Sequence, residues 1–98
     1  MDSLSEELQN YLIRLGKGTD VVSERIEHYT KHLLHLLPND TEEVFKQYYG
    51  LFDTEVVLLE DLAYHRHISK EMMLTVIEKG LRQLAVTPEW QMMKQLIK

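Results

Sequence analysis

Ninety-eight residues leave room for one core, and 44% hydrophobic with 28% charged residues is the composition of an ordinary globular domain. The absence of cysteine excludes disulfides and thiolate metal sites, and no apolar run approaches the ~20 residues of a membrane span. The acidic start Met1-Asp2-Ser3-Leu4-Ser5-Glu6-Glu7 lacks the basic n-region and apolar centre of a signal peptide, so a cytoplasmic protein without a membrane partner is expected.

In chain order, the first helix is expected over Ser5 to Leu15. Leu4, Leu8, Tyr11, Leu12 and Leu15 share one face, Ser3 with Glu6, or Ser5 with Glu7 nearby, resembles helix-start chemistry, and Gly16 is a stop. A second helix follows Thr19-Asp20 and runs to about Leu36, with Val22, Ile26, Tyr29, Leu33 and Leu37 as its apolar stripe and Pro38 beyond it. The third runs from about Asp40 to Tyr49. Asn39, Asp40 and Thr41 are competent caps, Glu42 and Glu43 suit the positive helix end, and Val44, Phe45, Tyr48 and Leu51 point inward.

A fourth helix is expected from Glu55 or Val57 to about Tyr64, and a fifth from Ser69 to Leu84. Thr87-Pro88 opens the sixth, with threonine as cap and proline at the first helical position, where its missing N–H costs nothing. Trp90, Met93 and Ile97 form its apolar side. The expectation is an all-α bundle of five to six helices. It forms a single domain over 1–98, with an N-terminal helical pair (1–36), a helix-turn-helix segment (37–85) and a C-terminal helix (86–98).

The stretch from Leu36 to Leu84 resembles the region-4 domain of bacterial sigma factors. Leu37-Pro38 stands where that family has Leu-Pro before a helix, and Glu42-Glu43-Val44-Phe45-Lys46-Gln47-Tyr48-Tyr49-Gly50-Leu51 follows its pattern into an aromatic-Gly-Leu turn. Then come the acidic loop Phe52-Asp53-Thr54-Glu55, the helix Leu59-Glu60-Asp61-Leu62-Ala63, the turn end Ile68-Ser69, and Glu71, Met73, Val76 and Leu81-Arg82-Gln83-Leu84. The resemblance covers about half the chain and implies a helix-turn-helix whose second helix enters the major groove. The residues that would face DNA are Arg66, His67, Ser69, Lys70, Glu71, Met72, Leu74, Thr75, Lys79 and Arg82. A chain of this length has no room for a promoter-melting region.

The same segment departs from the family at the positions that would touch bases. Where the family presents arginine and glutamine, this chain has Met72, Leu74 and Thr75, and the arc opposite the core carries Glu71, Thr75, Glu78 and Arg82. The formal charge is −5, and even the second half of the chain holds six Lys/Arg against seven Asp/Glu. Phosphate contacts supply most DNA affinity. Two readings follow: a stand-alone bacterial DNA-binding transcription regulator, as a homodimer that doubles weak contacts, or a protein-interaction module on the same scaffold that binds RNA polymerase or another transcription protein.

Other constellations carry less. His28, His32 and His35 recur at i, i+4 and i+7 on the second helix, a spacing that can gather imidazoles, but surface histidines are the expectation. No nucleophile elbow or phosphate loop appears, so no enzyme activity, catalytic residue, cofactor or metal is expected. Met72, Met73, Met92 and Met93 fall in the last two helices, where they fill a core or make an adaptable surface.

Overall fold

The structure, a computed structural model, describes residues 1–17 and 24–96. Six helices make up its regular structure: α1 (Ser3–Lys17), α2 (Glu24–Leu34), α3 (Asn39–Tyr49), α4 (Leu59–His65), α5 (Lys70–Ala85) and α6 (Pro88–Leu96), with no strand among the described residues. The Cα radius of gyration is 13.0 Å, the value of a packed chain of this length (about 13 Å). Helix α5 is the hub: α1 lies along it, α3 and α4 pack on it, and α6 folds back beside it onto α2.

The core gathers Leu8 and Leu12 of α1, Leu33 and Leu34 of α2, Val44 and Phe45 of α3, Leu62 of α4, Met73, Ile77, Leu81 and Leu84 of α5, and Trp90 of α6. On α1 and α5 these positions recur at three- and four-residue steps, the spacing of one helix face. Leu4, expected on the α1 stripe, is 40% exposed. Ser5, ~100° further round the helix, is buried in its place, and its small side chain lets α1 close on α5. The α1 cap is also not Ser3: the Asp2 carboxylate accepts the Ser5 N–H (2.8 Å) and its carbonyl the Glu6 N–H (3.0 Å).

The stripe expected on α2 keeps Ile26, Leu33 and Leu37 in or against the core, but Thr30 replaces Tyr29 on the inward side. Thr30 is fully buried and Tyr29 is 37% exposed. A buried hydroxyl needs partners, and Thr30 has them: its Oγ1 donates to the Ile26 carbonyl (2.8 Å) and lies 2.7 Å from the Tyr11 hydroxyl. Tyr29 instead accepts a hydrogen bond from Arg25 Nε at the surface (3.0 Å). Val22 and Ile97 lie outside the described residues. The helix stops at Leu34, earlier than expected, because i→i+3 bonds from Leu36 to Leu33 and from Leu37 to Leu34 tighten the chain ahead of Pro38.

Helix α3 begins on Pro38, which holds the cap position in extended backbone without a side-chain bond. None of Asn39, Asp40 or Thr41 acts as the expected cap. Its far end closes on Gly50, at φ +66°, whose N–H reaches the Lys46 carbonyl. The turn continues with Phe52 (φ 53°) and Asp53 (φ 62°), both left-handed. The Val57 N–H then bonds the Gln47 carbonyl of α3 (2.8 Å). That bond holds the segment before Leu59 out of helix, so α4 starts later than Glu55 or Val57, and Val56 and Leu58 are exposed. The expected start of α6 is found: Thr87 Oγ1 accepts the Trp90 N–H (3.2 Å) with Pro88 next in sequence.

Two glycines mark the closest helix contacts. A Cβ on Gly16 of α1 would lie 1.9 Å from the Tyr49 carbonyl oxygen of α3, and one on Gly80 of α5 would lie 2.8 Å from the Phe45 ring. Glycine is what allows these backbones to approach.

Candidate nucleic-acid interface

The candidate surface is built on α4, a turn over Arg66–Ser69, and α5. Leu62 and Ala63 of α4 and Met73 and Ile77 of α5 are buried, and the small Ala63 allows close packing. The turn is made by His67 in left-handed backbone (φ 57°) and by the N–H groups of Arg66 and Ile68, both bonded to the Ala63 carbonyl. Ser69 caps α5: its Oγ accepts the Met72 N–H at 3.0 Å. The Ser69 hydroxyl is thereby committed to the helix end, which leaves the first turn of α5 facing solvent with Lys70, Glu71 and Met72.

The four Lys and Arg side chains expected to meet phosphate are placed as follows. Arg66 Nη2 lies 3.1 Å from Asp40 Oδ1, which ties the turn to the start of α3. Lys70 Nζ lies 3.2 Å from Glu60 Oε1 across the turn. Arg82 binds the Asp2 carboxylate at the start of α1. Lys79 has no ion-pair partner among the described residues. The Asp2 carboxyl sits below its ordinary value of 3.8, held there first by hydrogen bonds from Ser5 and then by Arg82. Thr75, Glu78, Lys79 and Arg82 line a shallow cleft of about 200 Å³ with Met1, Asp2 and Ser5. The lower half of the α5 face therefore looks onto α1.

The predicted residues divide into two places. Arg66, His67, Ser69 and Lys70 gather at the turn, and Thr75, Lys79 and Arg82 at the α1 cleft. Between them, Met72 is 54% and Leu74 38% exposed. Thr75 donates its hydroxyl to the Glu71 carbonyl (3.0 Å), so its polar atom already has a partner within its own helix. Sequence reasoning missed the three carboxylates that hold the cations: Asp2, Asp40 and Glu60. No local spacing announces them, because the pairs span 80, 26 and 10 residues.

His28 and His32 of α2 are exposed. His35 lies just beyond the helix end, where its Nδ1 is 2.8 Å from Oε2 of the buried Glu42 on α3. No three His, Asp or Glu side chains converge on a metal-sized site among the described residues. No described helix is long and apolar enough to cross a membrane. Compared with known proteins, the chain matches no family model, no curated protein and no solved structure.

Proposed function

We propose that this chain is a protein-interaction module on a helix-turn-helix scaffold, and that the exposed side of α5 around Met72 and Leu74 is its contact surface. One observation carries the reading: three of the four cations on the candidate face, Arg66, Lys70 and Arg82, are paired with the chain's own carboxylates, while two large apolar side chains beside them stand in solvent. Surface ion pairs are weak, about 0–1 kcal/mol, and phosphate can displace them. Each displacement would leave Asp40, Glu60 or Asp2 facing a polyanion, alongside Glu71 and Glu78. Interface centres are depleted in charge and enriched in methionine and aromatic residues. The sigma region-4 resemblance directs the search to RNA polymerase or another transcription protein as partner.

The DNA-binding reading keeps support of its own: a capped α5 following a tight turn, as in helix-turn-helix regulators, and Lys79 free to reach a phosphate. Two titrations separate the readings. Purified bacterial RNA polymerase on a biosensor should bind the wild-type chain, and Met72→Arg/Leu74→Arg should lose that binding. A fluorescent promoter-like duplex at about 50 mM salt should show no wild-type binding up to on the order of 10 µM protein. Duplex binding below that concentration, with no response to polymerase, would establish the DNA-binding reading instead.

A further inference from the structure

A second surface lies on helices that α4 does not touch substantially. Helix α6 packs on α2 and α5, whereas α4 packs on α3 and α5. Between α2 and α6 runs an open groove of about 470 Å³, walled by Arg25, Tyr29 and His32 on one side and Glu89, Met92 and Leu96 on the other. Met92 is 72% and Leu96 56% exposed. They are four residues apart, so they form one stripe on the outer side of α6. Behind them Met93 and Trp90 are buried in the core, so the inner face of α6 is filled and the outer one is not.

The charges on this groove select its occupant. Arg25 stands on the α2 wall, held in place by its bond to the Tyr29 hydroxyl (3.0 Å) and with its guanidinium over the Tyr29 ring (5.6 Å). Glu89 stands on the α6 wall. Neither has an ion-pair partner of opposite charge among the described residues. A basic helix laid in the groove would satisfy Glu89 and be repelled by Arg25, and an acidic one would do the reverse. A two-fold interface must be complementary to itself, and a groove with one free cation and one free anion on opposite walls meets that condition. A second copy related by a two-fold axis would set Arg25 of each chain against Glu89 of the other and bury Met92 and Leu96 between them.

We infer that the α2–α6 groove is a homodimerisation surface. The two α6 stripes form the apolar centre, and the reciprocal Arg25–Glu89 pairs fix the antiparallel register. The inference is independent of what the α5 face binds. Two helices of about three turns each make a small interface, so association is reversible and concentration-dependent. Because α4 lies away from the groove, both helix-turn-helix units remain uncovered in the dimer.

Sedimentation velocity on the full chain, from micromolar to millimolar, tests this through a charge exchange. Wild type should dimerise within that range. Arg25→Glu places two carboxylates at each contact and Glu89→Arg two cations, so each single variant should associate at least about tenfold more weakly. An equimolar mixture of the two variants restores both pairs in the heterodimer, and its association should return to near the wild-type value. Both residues are exposed, and a thermal melt of each variant checks that the fold is kept. Met92→Glu, at a position 72% exposed, should abolish the dimer without changing the melt. A wild type that stays monomeric to millimolar, or a mixture no better than the single variants, would overturn the inference.

Discussion

Arg82 of α5 and Asp2 at the start of α1 are bonded side chain to side chain, 80 residues apart in sequence. The same Asp2 carboxylate caps α1 through the Ser5 N–H. One acidic group thus ends a helix and ties it to the hub of the fold. Its carboxyl is held below the ordinary 3.8, by Ser5 first and Arg82 next. A carboxyl lowered in the folded state stabilises at pH above its unfolded value, and this contribution is lost as pH falls below about 4 through the folded value. Asp2→Ala should therefore lower the melting temperature at neutral pH, and the gap from wild type should close in acid. A gap that persists unchanged to the bottom of the acid limb would count against the electrostatic account.

The two crowded glycines should respond differently to alanine. At Gly16 the obstacle is the main-chain carbonyl of Tyr49, which cannot move without moving α3. At Gly80 it is the edge of the Phe45 ring, which can tilt. Alanine gains about 1 kcal/mol over glycine in a helix interior, against roughly 1–3 kcal/mol for overpacking. Gly16→Ala should destabilise by about 2 kcal/mol or more and Gly80→Ala by about 1 kcal/mol or less, as read by urea denaturation. A Gly16→Ala protein as stable as wild type would show that α1 and α3 do not approach so closely.

Tyr11 and Tyr49 should limit stability in alkali. Burial pushes both phenols above 10.0, against the opposing Thr30 hydrogen bond at Tyr11. For a group raised in the folded state, the stabilisation is whole below the unfolded value and lost as pH rises through the folded one. Stability should therefore decline above about pH 10, and Tyr11→Phe/Tyr49→Phe should flatten that decline. At neutral pH the double variant loses the Tyr11–Thr30 and Tyr49–Gln9 bonds, about 1 kcal/mol each. Denaturant melts at neutral pH and in alkali measure both effects.

Freeing the paired cations should raise DNA affinity. In Asp40→Asn/Glu60→Gln, Arg66 and Lys70 lose their carboxylate partners. Both pairs involve a carboxylate that is mostly exposed, so stability should stay within about 1 kcal/mol of wild type. Duplex binding that the wild type lacks up to on the order of 10 µM should become measurable, with about two units of its log–log salt slope coming from these cations if both reach phosphates. A double variant that binds duplex no better than wild type would mean that the turn does not lie against DNA.

Helix positions were largely legible because they follow from local periodicity and punctuation. Thr87-Pro88, Ser69 and Gly50 each mark a helix end, and Leu8, Leu12, Leu33 and Val44 lie where the apolar stripes put them. The errors come from longer-range contacts. Helical spacing puts Tyr29 on the inward stripe with Ile26 and Leu33. Thr30 takes that place because Tyr11, on another helix, completes its hydrogen bonding. Local signals place the start of α4 too early because the bond from Val57 to Gln47 is a tertiary contact. The candidate face was legible as a list of residues but not as a charge distribution, since Asp2, Asp40 and Glu60 reach it only through the fold.

The dependence of α1 on α5 has a consequence for synthesis. Helix α1 packs mainly on a helix that is made well after it and ends at Ala85. While the chain is being translated, α1 lacks its main packing partner until α5 has left the ribosome. The local helix pairs α3–α4 and α4–α5 are free to form as they emerge, whereas the N-terminal helix waits. A ribosome stalled before α5 should therefore carry an N-terminal segment open to chaperones and proteases, and its protection should arrive in one late step, when α5 emerges.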